Sequence, residues 1–326
     1  MTAFYWSALT IGLLAAFLTL GLILFKTAFR AYIAGVDIDE AGPKIKKLLC
    51  AGLNITSDIL GEFINTQHGV LDVMKEYENH TLVLWFWQKN FPKRSVSLAI
   101  KPSRLGLEIY EEMFKANLEK ILYLAREKGI FVWVDAEKKK DREAVLNAVM
   151  LMRSKGYENI GLALQCVHSD AENSLVRLLK SGTPFRLVKG AYPDGDLKSR
   201  EQINRNFKNL FRSALFHYRN EKPKGDIRHP KIAVATHDTD LIRYALCFER
   251  DKHLSKIIQF QMLYGVRMKL QMQMAKEKKD ILVYVPWGKD ARGYFLRRCR
   301  EGIKPSVLAL FLRNIGEAVR CQKELF

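Results

Sequence analysis

The sequence predicts an α/β protein, a closed parallel (βα)8 barrel preceded by an N-terminal transmembrane helix. Three observations lead there. Eight short runs of apolar and β-branched residues recur along the chain, helix-length segments with 3.6-residue periodicity separate them, and the first of the apolar stretches is long and uncharged. The 326 residues exceed the roughly 250 that a barrel of this kind needs.

Residues 3–25, "AFYWSALTIGLLAAFLTLGLILF", carry no charged side chain. As a helix they would extend roughly 35 Å, enough for a hydrocarbon core of about 30 Å. Tyr5 and Trp6 lie near one end and Lys26 and Arg30 follow the other. That basic flank places the bulk of the chain on the cytoplasmic side of a single-pass membrane protein. Residues 31–50 then read as a short polar connection entering a helix around Ile45–Leu49. The expected division is an anchor over 3–25, a linker and leading helix over 26–50, and the barrel domain over 51–326.

The eight runs are "LNITSDIL" (53–60), "SVSLAI" (95–100), "IFVWVDA" (130–136), "IGLALQ" (160–165), "FRLVKGA" (185–191), "KIAVATH" (231–237), "IIQFQML" (257–263) and "ILVYVPW" (281–287). For the first, "LVLWFWQKNF" (82–91) is a competitor. Helical periodicity marks 107–129 and 199–221, and the basic, Met-rich 265–279 reads as a helix with one solvated face. Hydrophobic residues make up 48% of the chain, which excludes disorder. The five cysteines are scattered without a C-x-x-C pair, arguing against a disulfide framework or a zinc site. A net charge of +18 suits a polyanionic surface, and beside a membrane segment it favours anionic lipid over nucleic acid.

Barrels of this kind work at the C-terminal ends of their strands. Polar residues end seven of the eight runs: Lys101, Asp135, Gln165, Arg186 with Lys189, Thr236 with His237, Gln261, and Tyr284. Each alone has a dull explanation as a helix cap or a bonded core residue; together they converge. A helix from about Lys289 would gather Tyr294, Arg297, Arg298 and Glu301 on one face, where apolar residues usually sit. Lys101 and the arginine pair supply three cations able to hold a carboxylate. Gly190 and Ala191 leave little side chain, so a large ligand can approach the backbone. No G-x-G-x-x-G, P-loop or H-E-x-x-H pattern occurs, and no metal ligand set is expected.

In order along residues 45–302, "LGEF" (60–63), "KPSRLG" (101–106), "VDAE" (134–137), "RLVKGAY" (186–192), "ATH" (235–237), "FQMLYG" (260–265), "YVPWG" (284–288) and "YFLRRCRE" (294–301) resemble the proline dehydrogenase family. The resemblance implies a distorted (βα)8 TIM-like barrel that binds FAD and oxidises L-proline to 1-pyrroline-5-carboxylate, the first step of proline catabolism; the expected membrane anchor adds membrane quinone as acceptor. It implies catalytic roles for Asp135, Arg186 and Tyr284, and substrate contacts for Lys101, Leu263, Tyr294, Arg297 and Arg298. Glu301 would hold the arginines. FAD contacts are implied for Ala136, Gln165, Val188, Lys189, Gly190, Ala191, Thr236, His237 and Gln261. Asp238 stands where the family usually has Asn, and Gln259 where Glu is usual. The alternatives are dehydrogenation of hydroxyproline or a related cyclic imino acid, and a non-catalytic membrane-anchored barrel that binds polyanions.

Overall fold

A computed structural model describes residues 27–61, 63–220, 229–291, 293, 295 and 313–321. Eight strands close into one barrel: β1 (Asn54–Ile59), β2 (Val96–Ile100), β3 (Phe131–Val134), β4 (Ile160–Gln165), β5 (Phe185–Val188), β6 (Ile232–Ala235), β7 (Ile258–Leu263) and β8 (Ile281–Trp287). Every neighbouring pair is parallel, and β8 returns to β1 with Asn54 opposite Leu282. Each expected run contains one strand. The competitor at 82–91 belongs instead to helix Gln67–Asn90. Its buried residues, among them Val70, Val73, Tyr77, Leu84 and Trp87, recur at three- and four-residue spacing, while Leu82 and Phe86 are exposed. An aromatic-rich run imitates a strand over ten residues; over the full helix its period is plainly 3.6.

The expected polar connection is also more ordered than its composition suggests. A helix starts at Ile38 rather than Ile45, capped by Asp37, whose side chain accepts from the Glu40 amide. Its polar residues face outward, and Ala41, Ile45, Leu48 and Leu49 face the barrel. The other periodic segments form helices Glu111–Glu127, Arg200–Asn220 and Met268–Lys276.

The transmembrane helix requires correction. Among the described residues no helix is long and apolar enough to cross a membrane. Even Gln67–Asn90, with 24 residues, carries Asp72, Lys75, Glu76, Glu78 and Lys89. Residues 3–25, on which the expectation fell, lie outside the described residues. The single-pass location and the cytoplasmic placement depended on that helix and are withdrawn with it; the anionic lipid partner is left with the net charge of +18 alone.

Strand alternation sends one set of side chains out to the helices and the other into the lumen. The outward set, including Ile55, Leu98, Val132, Val134, Leu162 and Leu187, forms one large core with the surrounding helices. Inside, Phe131, Trp133 and Ala233 form a small separate cluster, with the Phe131 and Trp133 rings edge to face at 4.9 Å. Gly161 on β4 makes room for Trp133, since a Cβ there would lie 2.5 Å from its ring.

A third cluster covers the mouth beside β8. It unites Ala31, Tyr32, Ile33, Leu60, Met268, Ala291, Phe295, Ala318 and Cys321. The Ala34 amide donates to Pro286 O at 2.9 Å, and the Gly288 amide to Gly35 O at 3.0 Å. Gly265, at φ +79°, permits this close approach: any Cβ would meet the Ala31 carbonyl at 1.8 Å.

Candidate active site

The lumen at the C-terminal end of the strands is built around Asp135. Its amide donates to Ile100 O at 2.9 Å, which extends the β2–β3 ladder by one step and fixes where the carboxylate points. Arg186 Nη1 donates to Asp135 Oδ1 at 2.7 Å, and the Tyr284 hydroxyl donates to Oδ2 at 2.6 Å. Lys101 Nζ stands 3.8 Å from Oδ2 and donates to Asp58 Oδ1. The Arg186 guanidinium lies between two aromatic rings, 4.9 Å from the Trp133 centroid and 5.2 Å from that of Tyr284. Its Nε donates to Gln261 Oε1 at 2.6 Å.

These groups charge one another. Burial alone would lower the Lys101 pKa, but Asp58 and Asp135 outweigh it and hold the ammonium above its usual range. Burial raises the Asp135 carboxyl, opposed by Arg186 and Lys101. Burial and the adjacent Asp135 charge push the Tyr284 phenol well up, so it stays a neutral donor.

A second constellation forms the rim from β5 to β7. Lys189 Nζ and Arg200 Nη2 each donate to Asp238 Oδ2 at 2.7 Å, joined by Asn204 Nδ2 at 3.2 Å. Burial would raise the Asp238 carboxyl, but these donors hold it well below the usual range. His237 Nε2 accepts from the Leu263 amide at 2.9 Å, and Thr236 Oγ1 accepts from the Asp238 amide at 3.2 Å. Gly190 has φ +114° and its missing Cβ would strike Val167 at 2.5 Å, so the turn after β5 requires glycine. Gly190 and Ala191 are exposed. Next to Val188, on β4, Gln165 Nε2 donates to Glu137 O at 3.2 Å, beside Ala136.

The fold therefore joins Lys101, Asp135, Arg186, Gln261 and Tyr284 in one network. It sets Thr236, His237, Leu263, Val188, Lys189, Gly190 and Ala191 along the rim from β5 to β7, with Gln165 in register beside Val188 on β4 and Ala136 following β3. Tyr294, Arg297, Arg298 and Glu301 lie outside the described residues. Sequence reasoning missed Asp58, whose side chain is 1% exposed and which anchors Lys101. It lies inside β1 among Asn54, Thr56 and Ser57, so no break in an apolar run marks it. Among the described residues no group of His, Cys, Asp and Glu is placed to hold a metal ion.

Residues 41–306 match the profile of the family described as proline dehydrogenase. The chain belongs to the proline dehydrogenase family. It is 29% identical over 296 residues to proline dehydrogenase 2 of Bacillus subtilis (strain 168), covering 89% of this chain and 91% of that one. With the proline dehydrogenase of Deinococcus radiodurans it shares 28% identity over 281 residues, covering 83% and 84%. Among solved structures, proline utilization A from Bdellovibrio bacteriovorus superposes with a TM-score of 0.75 at 22% identity. That match covers 86% of this chain but 33% of the larger protein, and it speaks for the fold alone.

Proline dehydrogenases are FAD-dependent oxidoreductases. The mouth fits that cofactor. Arg186 Nη2 is buried without a hydrogen-bond partner among the described residues, a donor that a bound group must satisfy. Around it lie a lysine cation, amide and hydroxyl side chains, and the uncovered backbone at Gly190 and Ala191, a donor set suited to an anionic, heteroaromatic ligand.

Proposed function

We propose that the chain oxidises L-proline to 1-pyrroline-5-carboxylate at the barrel mouth, and that residues 51–326 form the catalytic domain. The observation that carries this reading is the Asp135 carboxylate, fixed by Arg186 and Tyr284 with the Lys101 ammonium beside it. Family membership supplies the substrate class.

Lys101 holds the substrate carboxylate, together with Arg297 and Arg298, which Glu301 keeps in place. Tyr284, Tyr294 and Leu263 line the pocket of the five-membered ring. Asp135 orients Tyr284 and Arg186 against the substrate, and Arg186 also faces the cofactor. Ala136, Gln165, Val188, Lys189, Gly190, Ala191, Thr236, His237 and Gln261 hold FAD. Held by those residues, FAD would supply the two-electron, hydride-accepting chemistry that oxidation at the ring carbon next to nitrogen needs. The protein's own part is orientation and charge: cations fix the carboxylate, and the rim displaces water. Only an amine that has shed its extra proton can release hydride to form an imine, so turnover weakens toward acidic pH. A membrane quinone as final acceptor rests on the anchored topology alone, which no helix among the described residues supplies.

Purified protein is expected to be yellow, with visible absorbance that bleaches when L-proline is added without oxygen. Colourless protein that binds polyanions in a salt-dependent manner would overturn the reading in favour of a non-catalytic barrel. Parallel turnover with hydroxyproline separates the two cyclic imino acids.

A further inference from the structure

Below the rim, a line of polar side chains runs down the lumen from β5 to the start of β8, and the proposed reaction leaves most of it unused. Arg186 is paired in register with Ala233 on β6, whose small side chain lets the arginine cross to β7. There Nε meets Gln261 Oε1 at 2.6 Å. Gln261 Nε2 donates to Gln259 Oε1 at 2.8 Å, and Gln259 Nε2 donates to the Asp280 oxygens at 2.9 and 3.1 Å. Asn54 Nδ2 reaches Asp280 Oδ1 from β1 at 2.8 Å. Arg186, Gln259 and Gln261 are all buried.

The direction of this chain is forced. A guanidinium can only donate, so Gln261 must turn its carbonyl toward Arg186 and its NH2 toward Gln259. Gln259 must then present its carbonyl upward and its NH2 downward, to a carboxylate that accepts. Space filling alone would be served by leucine or methionine, without the cost of burying two amides. The guanidinium is a planar, rigid fork. With Nε held by Gln261 and Nη1 by Asp135, the direction of the unpaired Nη2 is fixed too.

We propose that Gln259 and Asp280 are positioning residues for Arg186, acting through Gln261. The inference rests on the role of Arg186 in the reading above. Its test compares the holoenzyme with Gln259→Met, the apolar residue closest in shape, and with Asp280→Leu and Asp280→Asn, the last of which keeps an acceptor for Gln259. Two readouts are taken: the kcat–KM split for proline, and the Arg186 Nε–H signal of arginine labelled with nitrogen-15, assigned by its loss in Arg186→Lys.

Gln259→Met and Asp280→Leu are expected to lower kcat about tenfold with KM for proline held within about threefold, and to shift and broaden the Nε–H signal. Asp280→Asn is expected to restore both to near the unaltered enzyme. Folded Gln259→Met with full kcat and an unchanged signal would overturn the proposal, as would Asp280→Asn matching Asp280→Leu. Should Gln259→Met not fold, the Asp280 pair decides. Should the unaltered protein not oxidise proline, the function reading fails by itself and the Nε–H signal still decides the strut.

Discussion

Lys101 is held by a carboxylate on each side, and the two do different work. Asp58 is fully enclosed and bonded to the ammonium, whereas Asp135 stands farther off and has its own arginine and phenol. Asp58→Asn keeps the shape and removes the charge that aims the lysine. KM for proline is expected to rise about tenfold in steady-state assays, with the oxidised flavin spectrum unchanged; an unaltered KM would detach Asp58 from the substrate clamp. Lys101, Asp135, Arg186 and Tyr284 were legible in the sequence because each breaks or ends an apolar run. Asp58 was harder to see, lying inside "NITSDIL" among other small polar residues. Gln259 stood out only as a departure from the family pattern; its place in the network, two positions before Gln261 on the same strand face, is shown by the structure.

At the scale of elements, β3 and β4 are matched by one missing side chain. Gly161 receives the Trp133 ring, and that ring supports the Arg186 guanidinium from below. A methyl group at Gly161 would also meet Pro184 O at 3.0 Å, so the backbone cannot simply yield. Gly161→Ala is expected to cost about 1–3 kcal/mol of stability by overpacking, read from the urea midpoint, and to weaken retention of FAD. A midpoint equal to that of the unaltered protein would show that Trp133 can move aside. The eight strands could be read from β-branched runs because a barrel buries both faces of its strands. The span 82–91 and the start of the helix at Ile38 could not be settled from short windows, since their inner faces show only against neighbours several turns away.

For the whole molecule, His80 links the protein's stability to pH. It lies between helix Gln67–Asn90 and the sheet, its Nε2 2.8 Å from Ser57 Oγ and its ring 4.9 Å from that of Trp287. Trp287 Nε1 donates to the same Ser57 oxygen at 2.8 Å. Burial pulls the His80 pKa down to about 3. The unfolded chain therefore binds a proton that the native state refuses, and the contribution is present above about pH 6.5 and lost as pH falls toward 3. At about 1.4 kcal/mol per unit, several kcal/mol are at stake. Urea midpoints at pH 7 and pH 5 should differ in the native protein and converge in His80→Asn; an equal pH response in both would assign the effect elsewhere. Strand number and parallel closure were legible at this scale, because eight alternations of strand and helix leave few other arrangements. The membrane anchor was inferred from one apolar stretch at 3–25, and no helix among the described residues is long and apolar enough to be one. The small cluster over the mouth has its own consequence. It is sewn from residues near 30 and near 320, with the entire barrel intervening, and so closes the longest loop in the described chain. Such a patch is expected to gather late during folding and to open before the strands do. Hydrogen exchange at the Ala34 and Gly288 amides should accordingly outrun exchange in the strands, which would make entry to the lumen a local, reversible melting with the cylinder left intact.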